Sequence, residues 1–321
     1  MEKKRVVIVR GVFPEVVQAL ERKFEVVHNE EDRPWVGEEL AQRLQGAAAA
    51  MTTVMDRFDA ALLARCPDLK VISNIAVGYN NIDVAECTRR GIRVTNTPGV
   101  LDDTTADLTW ALLMAAARRI AEGDGYVRAG DWKIAFGVQY FLGQDIHHAT
   151  LGIIGMGRIG QAVARRASGF DMRVLYHNRS RLPRAEERRL GAAWVEREEL
   201  LRTSDFVVVM APYSPATHHL VGAAEIALMK PTAVLVNSAR GGVVDDAALV
   251  AALKAKRIAA AGLDVFEGEP RLDPGFLELG NVVMTPHIGS ASRPTRLTMC
   301  NTAAANLAAV LEGRDPPNPV N

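Results

Sequence analysis

Residues Leu151–Gly160 read LGIIGMGRIG, and the ten positions combine an apolar run, three glycines in GxGxxG spacing (Gly155, Gly157, Gly160) and a direct lead into the helical segment QAVARRA. A strand, a tight glycine turn and a helix in this order predict a dinucleotide-binding βα unit. The first glycine permits the bend, the second lets the backbone approach a pyrophosphate, and the third lets the helix pack close to the strand. The helix N-terminus then presents unpaired amides to the phosphates. A glycine turn alone is a weak signal, and the flanking strand and helix are what make it specific.

Outward from this unit the same pattern repeats. Before it, β-branched runs alternate with polar helical stretches: RVVIVR, FEVVHN, AAAAMTTV, LKVISNIAV and IRVTNTP. After it come MRVLYHN, DFVVVMA, AVLVNSA, AAGLDVF and VVMTPH. Such alternation requires parallel sheets with crossover helices, since parallel neighbours cannot be joined by hairpins. With 321 residues there is chain for two such lobes. A helix is expected from near Thr104, with Asp107 three residues on as a capping-box-like partner, and a last helix over about 294–311. Between the lobes lies AGDWKIAFGVQYFLGQDIHHAT, rich in glycines and aromatics and without a period, which suggests a protruding arm. Trp132, Phe136, Tyr140 and Phe141 in it suit a dimer contact better than a cover for the cleft.

Composition bounds the partners. Lys plus Arg and Asp plus Glu both number 38, for zero formal charge, so no global field favours nucleic acid or an anionic membrane. Cys66, Cys87 and Cys300 are far apart, which points to reduced, buried thiols and not to a disulfide framework or zinc ribbon. The start, MEKKRVVIVR, lacks the apolar stretch of a signal peptide, and a cytoplasmic protein is expected. His147–His148 and His218–His219 are adjacent pairs, not spaced as ligands on one helix face, so no catalytic metal is expected.

The cofactor's ribose should meet the end of the strand after the glycine turn. There the chain reads Tyr176, His177, Asn178, Arg179, Ser180, with no carboxylate to repel a 2′-phosphate and with Arg179 and Ser180 suited to hold one. NADP(H) is therefore the expected cofactor, with NAD(H) possible; the competing view is that Arg179, Arg181 and Arg184 form a solvated basic loop.

Three further segments each follow a strand: NSARGGVVDDAAL with Arg240, GLDVFEGEP with Glu269, and TPHIGSA with His287. Ligands of open α/β sheets bind beyond the carboxyl ends of the strands, so these side chains are expected to converge. Ketone reduction needs a hydride, a proton, and a group that holds and polarises the substrate. His287 suits proton donation, Glu269 orients and favours the imidazolium, and Arg240 offers a planar fork to a carboxylate, with Gly241 and Gly242 leaving room beside it. Singly, each has a structural explanation: a surface ion pair, a loop acid, a strand-end histidine. Their joint placement favours the catalytic one.

The chain resembles the D-isomer-specific 2-hydroxyacid dehydrogenase family over essentially its whole length, through AVGYNNID, NTPGVLDDTTAD, TLGIIGMGRIG, NSARGGVVDDAAL, AAGLDVFEGEP and TPHIGSA. Within it the glyoxylate/hydroxypyruvate and 2-ketogluconate reductases look most similar. The resemblance implies two doubly wound parallel-sheet domains, Rossmann-like and flavodoxin-like, with the cofactor domain (101–286) inserted into a substrate domain (1–100 and 287–321) and a dimerisation arm at about 120–148. It implies catalytic Arg240, Glu269 and His287, with Arg240 and His287 also binding substrate, and backbone amides of Val77 and Gly78 on the substrate carboxylate. It also implies Thr105 near the cofactor phosphates, Gly157, Arg158 and Ile159 at the pyrophosphate turn, Ala211 and Ala239 beside the nicotinamide, and Asp264 on its carboxamide. The expected activity is NADPH-linked reduction of a small 2-oxo acid to a D-2-hydroxy acid by a homodimer. Phosphite oxidation, another NAD-linked D-2-hydroxyacid dehydrogenation, and a nucleotide-sensing corepressor of the same fold are the alternatives; the small room for regulatory tails beyond the two lobes favours an enzyme.

Overall fold

A computed structural model describes residues 3–321. The chain forms two units, one from its beginning through Leu101 together with Ala291–Asn321, the other spanning Asp102–Ser290.

In the first unit five parallel strands, β1 (Arg5–Ile8), β2 (Glu25–His28), β3 (Ala49–Thr52), β4 (Val71–Asn74) and β5 (Arg93–Thr95), lie in the order β2-β1-β3-β4-β5. That is the flavodoxin-like winding. Its crossovers are α1 (Pro14–Glu21), α2 (Gly37–Arg43), α3 (Ala60–Ala64) and α4 (Val84–Arg89). Both faces of the sheet are covered, which is why β3 and β4 are buried at every residue, the polar Thr52, Ser73 and Asn74 included.

The second unit carries α5 (Asp102–Ala117) and α6 (Ile120–Arg128), then the Rossmann sheet: β6 (Thr150–Ile154), α7 (Arg158–Ala167), β7 (Arg173–His177), α8 (Arg184–Leu190), β8 (Ala192–Trp194), α9 (Arg197–Thr203), β9 (Phe206–Val209), α10 (Ala223–Ile226), β10 (Val234–Asn237), α11 (Asp246–Lys254), β11 (Ala260–Leu263) and β12 (Val282–Met284). Its seven strands are all parallel, in the order β12-β11-β10-β9-β6-β7-β8. Strand order reverses at β6, where β7 lies on one side and β9 on the other, and the glycine turn follows β6 at that switch point. The last helix, α12 (Arg293–Leu311), belongs to the first unit, where Cys300, Ala303, Leu307 and Leu311 join Val6, Ile8, Met51 and Val71 in one apolar cluster.

Three expectations shift. The helix foreseen from Thr104 begins at Asp102, and Asp107 serves not as a cap partner but as an ion-pair partner of Arg166 at 2.6 Å. The return to the first unit falls at Ala291, so His287 stands with the nucleotide-binding sheet. The cause is Asp264, which draws the amides of Ile288 and Gly289 onto its carboxylate at 2.7 and 2.8 Å. Strand β8, only three residues long and at the sheet edge, was not foreseen.

The three cysteines are free and buried, and burial pushes the thiols of Cys87 and Cys300 up to about 12 and about 11, leaving them protonated at neutral pH. No helix among the described residues is long and apolar enough to cross a membrane.

Candidate active site

The glycine turn has the geometry its spacing predicts. Gly155 has φ +105°, and a β-carbon there would lie 2.6 Å from Ala211 N and Met210 C, so β6 meets the β9 loop through bare backbone. A β-carbon at Gly160 would overlap the Gly155 carbonyl. Gly157, by contrast, has nothing within 4 Å of where its β-carbon would be. That open space lies at the N-cap of the ten-residue α7, whose first turn has no side-chain cap, so the opening amides at Arg158 and Ile159 are left for an incoming acceptor. A pyrophosphate fits this cradle by charge, donors and space.

At the end of β7, Asn178 turns inward: its side-chain oxygen accepts the Met156 amide at 2.7 Å and so props the glycine turn. Arg181 is also occupied. Its guanidinium grips Glu187 with two bonds of 2.7 and 2.8 Å, and Glu187 in turn accepts the Tyr176 hydroxyl at 2.9 Å. The Arg181 guanidinium holds the Glu187 carboxyl below the usual carboxylate range. Arg179 and Ser180 are exposed and make no hydrogen bond or ion pair within the described residues. Of the arginines in this loop, one is structural, and Arg179 stands free two residues past the strand.

On the other side of the switch point, β10, β11 and β12 deliver the three predicted side chains. His287 follows β12 and has φ +53°, in the left-handed region that is uncommon for residues other than glycine. Asp264, at the end of β11 and 1% exposed, imposes this turn. Its backbone carbonyl accepts the His287 amide at 2.9 Å, and its carboxylate accepts Thr285 Oγ1 at 2.6 Å together with the two amides already described. Burial raises the Asp264 carboxyl above its ordinary value, against the pull of these donors. The side chain that the resemblance assigns to a cofactor carboxamide is therefore also the organiser of the histidine loop, a role sequence reasoning missed.

His287 Nδ1 meets Glu269 Oε2 at 2.7 Å, while the other Glu269 oxygen accepts the Phe266 amide at 2.8 Å. The pair is partly shielded, at 28% and 17% side-chain exposure, enough to strengthen the interaction while leaving the ring reachable. Arg240, after β10, donates from one terminal nitrogen to Ala239 O at 2.8 Å, and its Nε is buried without a partner. Burial lowers the guanidinium from its ordinary value and Glu269 opposes that; an arginine remains a cation regardless. A buried, unpartnered donor on a cation costs free energy unless a ligand supplies the acceptor. Asn237 Oδ1 accepts the Ala239 amide at 3.1 Å, fixing the turn.

The two glycines after Arg240 do not leave room, as expected, but remove it. A β-carbon on Gly241 would overlap the Phe266 carbonyl carbon and oxygen, and one on Gly242 would lie 3.0 Å from the Tyr213 ring. The Arg240 turn and the loop before Glu269 thus pack backbone against backbone.

Among the other expected positions, Ala211 lines the Gly155 contact, and Thr105, on α5, lies beside Gly289. Val77 and Gly78 belong to the first unit, on the loop after β4; Asn96 and Asn74 hold their carbonyls at 2.8 Å each. His218, His219 and Glu267 bring one ligand-type atom each within 4.8 Å, a proximity their adjacency in sequence did not reveal. The two imidazoles stack at 3.8 Å and 24°, so their in-plane lone pairs run side by side instead of converging.

Comparison with known proteins agrees with this architecture. Residues 110–289 match the family profile described as D-isomer specific 2-hydroxyacid dehydrogenase, NAD binding domain. A glyoxylate reductase of Thermococcus gammatolerans is 48% identical, over 99% of this chain and 96% of that one. A crystal structure of a Thermus thermophilus protein superposes with TM-score 0.91 at 46% identity, covering 99% and 100% of the two chains. An NADPH-dependent glyoxylate/hydroxypyruvate reductase of Sinorhizobium meliloti, solved with NADP and malonate, gives TM-score 0.87 at 32% identity, covering 99% and 97%. With a dinucleotide cradle at the switch point of a parallel sheet and an acid-supported histidine beside an arginine whose Nε is buried, the chain belongs to the D-isomer-specific 2-hydroxyacid dehydrogenase family and is a nicotinamide-dependent enzyme of that family.

Proposed function

We propose that the protein is an NADPH-preferring reductase of glyoxylate, hydroxypyruvate and 2-ketogluconate, forming D-2-hydroxy acids with His287 as proton donor. The observation that carries this reading is the His287–Glu269 contact at 2.7 Å beside an Arg240 whose buried Nε lacks a partner. The nicotinamide, when bound, supplies the hydride. Glu269 occupies Nδ1, which leaves Nε2 as the ring atom that delivers the proton to the developing alkoxide. Arg240 takes the substrate's carboxylate and polarises its carbonyl through nitrogens other than the one given to Ala239. The resemblance assigns the amides of Val77 and Gly78, in the first unit, to the substrate carboxylate; within that unit their carbonyls accept from Asn96 and Asn74.

Arg158 and Ile159 receive the pyrophosphate at the α7 N-terminus, and Ala211, Ala239 and Asp264 flank the nicotinamide. The cofactor preference rests on Arg179 and Ser180, free and exposed where an NAD-specific site would carry an acid. The relative from Sinorhizobium meliloti, solved in complex with NADP, supports the same choice. A homodimer formed through the arm is part of this proposal: Trp132, Ile134, Phe136 and Val138 expose 56%, 60%, 83% and 82% of their surface, four large apolar side chains within seven residues that a partner's surface would cover.

The test is a grid of initial rates: glyoxylate, hydroxypyruvate and 2-ketogluconate, each with NADPH and with NADH. Fast NADPH-linked turnover is the expected result and ranks the substrates. Preference for NADH overturns the role given to Arg179 and Ser180 and leaves the reaction class standing; absence of turnover on every pair overturns the reductase assignment.

A further inference from the structure

The loop Phe266–Gly268 carries Glu269 to His287, and three features hold its backbone. Gly241 presses on it, since a β-carbon there would overlap Phe266 O and stand 2.8 Å from Glu267 N. Glu269 itself accepts the Phe266 amide at 2.8 Å. The third is a side chain for which the catalytic reading has no use. Asp246, 6% exposed in the first turn of α11, accepts the next amide along, that of Glu267, at 2.9 Å. Two consecutive amides are thus bound by two carboxylates, one of them the partner of the catalytic histidine.

Asp246 sits among like charges. Asp245 precedes it on its own helix, Glu267 faces it from the loop, and Asp273 faces it from the segment after Pro270. No lysine, arginine or histidine among the described residues pairs with it; the nearby His219 lies between Asp245 and Glu267, at 3.6 and 3.0 Å. Burial pushes the Asp246 carboxyl up to about 6; the Glu267 amide opposes this and the three acids add to it. A structural acid without a cation, buried against the loop of a catalytic carboxylate, has one evident partner, and that is the loop.

We propose that Asp246 is a positioning residue: its ionised carboxylate anchors the Glu267 amide and thereby fixes Glu269 against His287. The inference rests on the reading of His287 as proton donor. Protonation removes the charge assistance from the anchor and makes the group a donor itself, so the loop slackens two residues before Glu269. The acid end of the pH profile is therefore assigned to Asp246.

The experiment measures kcat and KM for NADPH-linked glyoxylate reduction between pH 5 and 9 for the wild type, Asp246→Asn and Glu267→Gln. The wild type is expected to lose kcat below about pH 6. Asp246→Asn is expected to run about tenfold slower at pH 7.5, flat where the wild type falls, with the KM for NADPH unchanged. Glu267→Gln, altered only in an exposed side chain, removes a like charge and is expected to move the acid limb to lower pH. An acid limb retained in Asp246→Asn, or unmoved in Glu267→Gln, overturns the proposal. A readout independent of turnover is amide hydrogen exchange of the peptide spanning residues 264–270 at pH 7.5. Asp246→Asn is expected to speed exchange there by about tenfold. Equal protection overturns the anchor, even if the enzyme reduces none of the acids offered and the proposed function itself fails.

Discussion

Glu269 divides its carboxylate between His287 Nδ1 at 2.7 Å and its own loop's Phe266 amide at 2.8 Å, so one side chain both orients the histidine and closes the turn that carries it. The hydrogen bond from the Phe266 amide holds the acid in place, and the fixed acid makes the ring's orientation a property of the fold. His287→Gln is expected to lower kcat by about 10²- to 10⁴-fold, the usual worth of a positioned general acid. Glu269→Gln keeps an acceptor for Phe266 but loses the negative charge, and a smaller loss, about 10- to 100-fold, is expected. Steady-state kinetics at saturating NADPH decide; near-wild-type turnover in His287→Gln would remove the histidine from the chemistry.

Arg240→Lys keeps the charge and discards the fork. Lysine places one point charge where arginine presents Nε and two terminal nitrogens in a plane, and the buried Nε is the donor still in want of an acceptor. One lost charge-assisted hydrogen bond is worth about 1.5–3 kcal/mol, so kcat/KM for the 2-oxo acid should fall ~10- to ~150-fold. Cofactor affinity, measured by quenching of tryptophan fluorescence, should not change. A parallel loss of both would mean that the side chain serves the fold and not the substrate.

The glycine turn allows a separation of folding from binding. A methyl at Gly160 collides with the Gly155 carbonyl inside the protein, and Gly160→Ala is expected to destabilise or prevent folding. At Gly157 a methyl meets no protein atom within 4 Å and points into the space assigned to the pyrophosphate. Gly157→Ala should melt at the wild-type temperature and bind NADPH at least about tenfold more weakly, as a steric block of the backbone's approach requires. Unchanged affinity would show that the cradle lies elsewhere.

Most of this was legible from particular residues. Gly155 and Gly160 answer steric demands that exist before any ligand does, Gly157 leaves open the space a ligand would take, and fully buried strands such as Phe206–Val209 announce themselves as unbroken apolar runs. What stayed hidden has long-range causes. Asp264 looks like any acid after a strand until its turn brings the Ile288 and Gly289 amides, more than twenty residues on, to its oxygens. Asp246 and Glu267 are likewise 21 residues apart. The roles of Gly241 and Asn178 were obscured because each faces a different loop, and no local pattern encodes which loop that is. Strand β8 escaped because its three residues, Ala-Ala-Trp, include no β-branched side chain, unlike the equally short edge strands β5 and β12.

The free state of Arg179 gives the cofactor assignment a sharp test. Arg181 is bound to Glu187, so Arg181→Ala should lower stability by loosening a buried acid and affect both cofactors alike. Arg179→Ala removes no internal contact and should leave the melting temperature in place while raising the KM for NADPH about tenfold or more, the KM for NADH remaining unchanged. Equal effects on the two cofactors would return Arg179 to the class of solvated surface charges.

Asp246 makes a last prediction, in which stability and activity move in opposite directions. Its carboxyl is pushed up to about 6 in the folded protein from an ordinary value of 3.8. A raised folded value means that the native state holds the proton more tightly than the unfolded chain does. The stabilisation from that proton is complete below the unfolded value and is lost as pH rises through about 6, so at neutral pH the fold carries a buried charge costing up to roughly 3 kcal/mol. Asp246→Asn removes the charge and keeps an acceptor for the Glu267 amide. It should therefore melt a few degrees above the wild type at pH 8, with the advantage shrinking to nothing near pH 4, while turning over more slowly. Scanning fluorimetry across that range checks the sign, and a constant difference at every pH would mean that the carboxyl does not titrate where its surroundings put it. A charge kept at a cost to stability, beside a loop on which the proposed catalysis depends, is the pattern expected where function and not folding selects the residue.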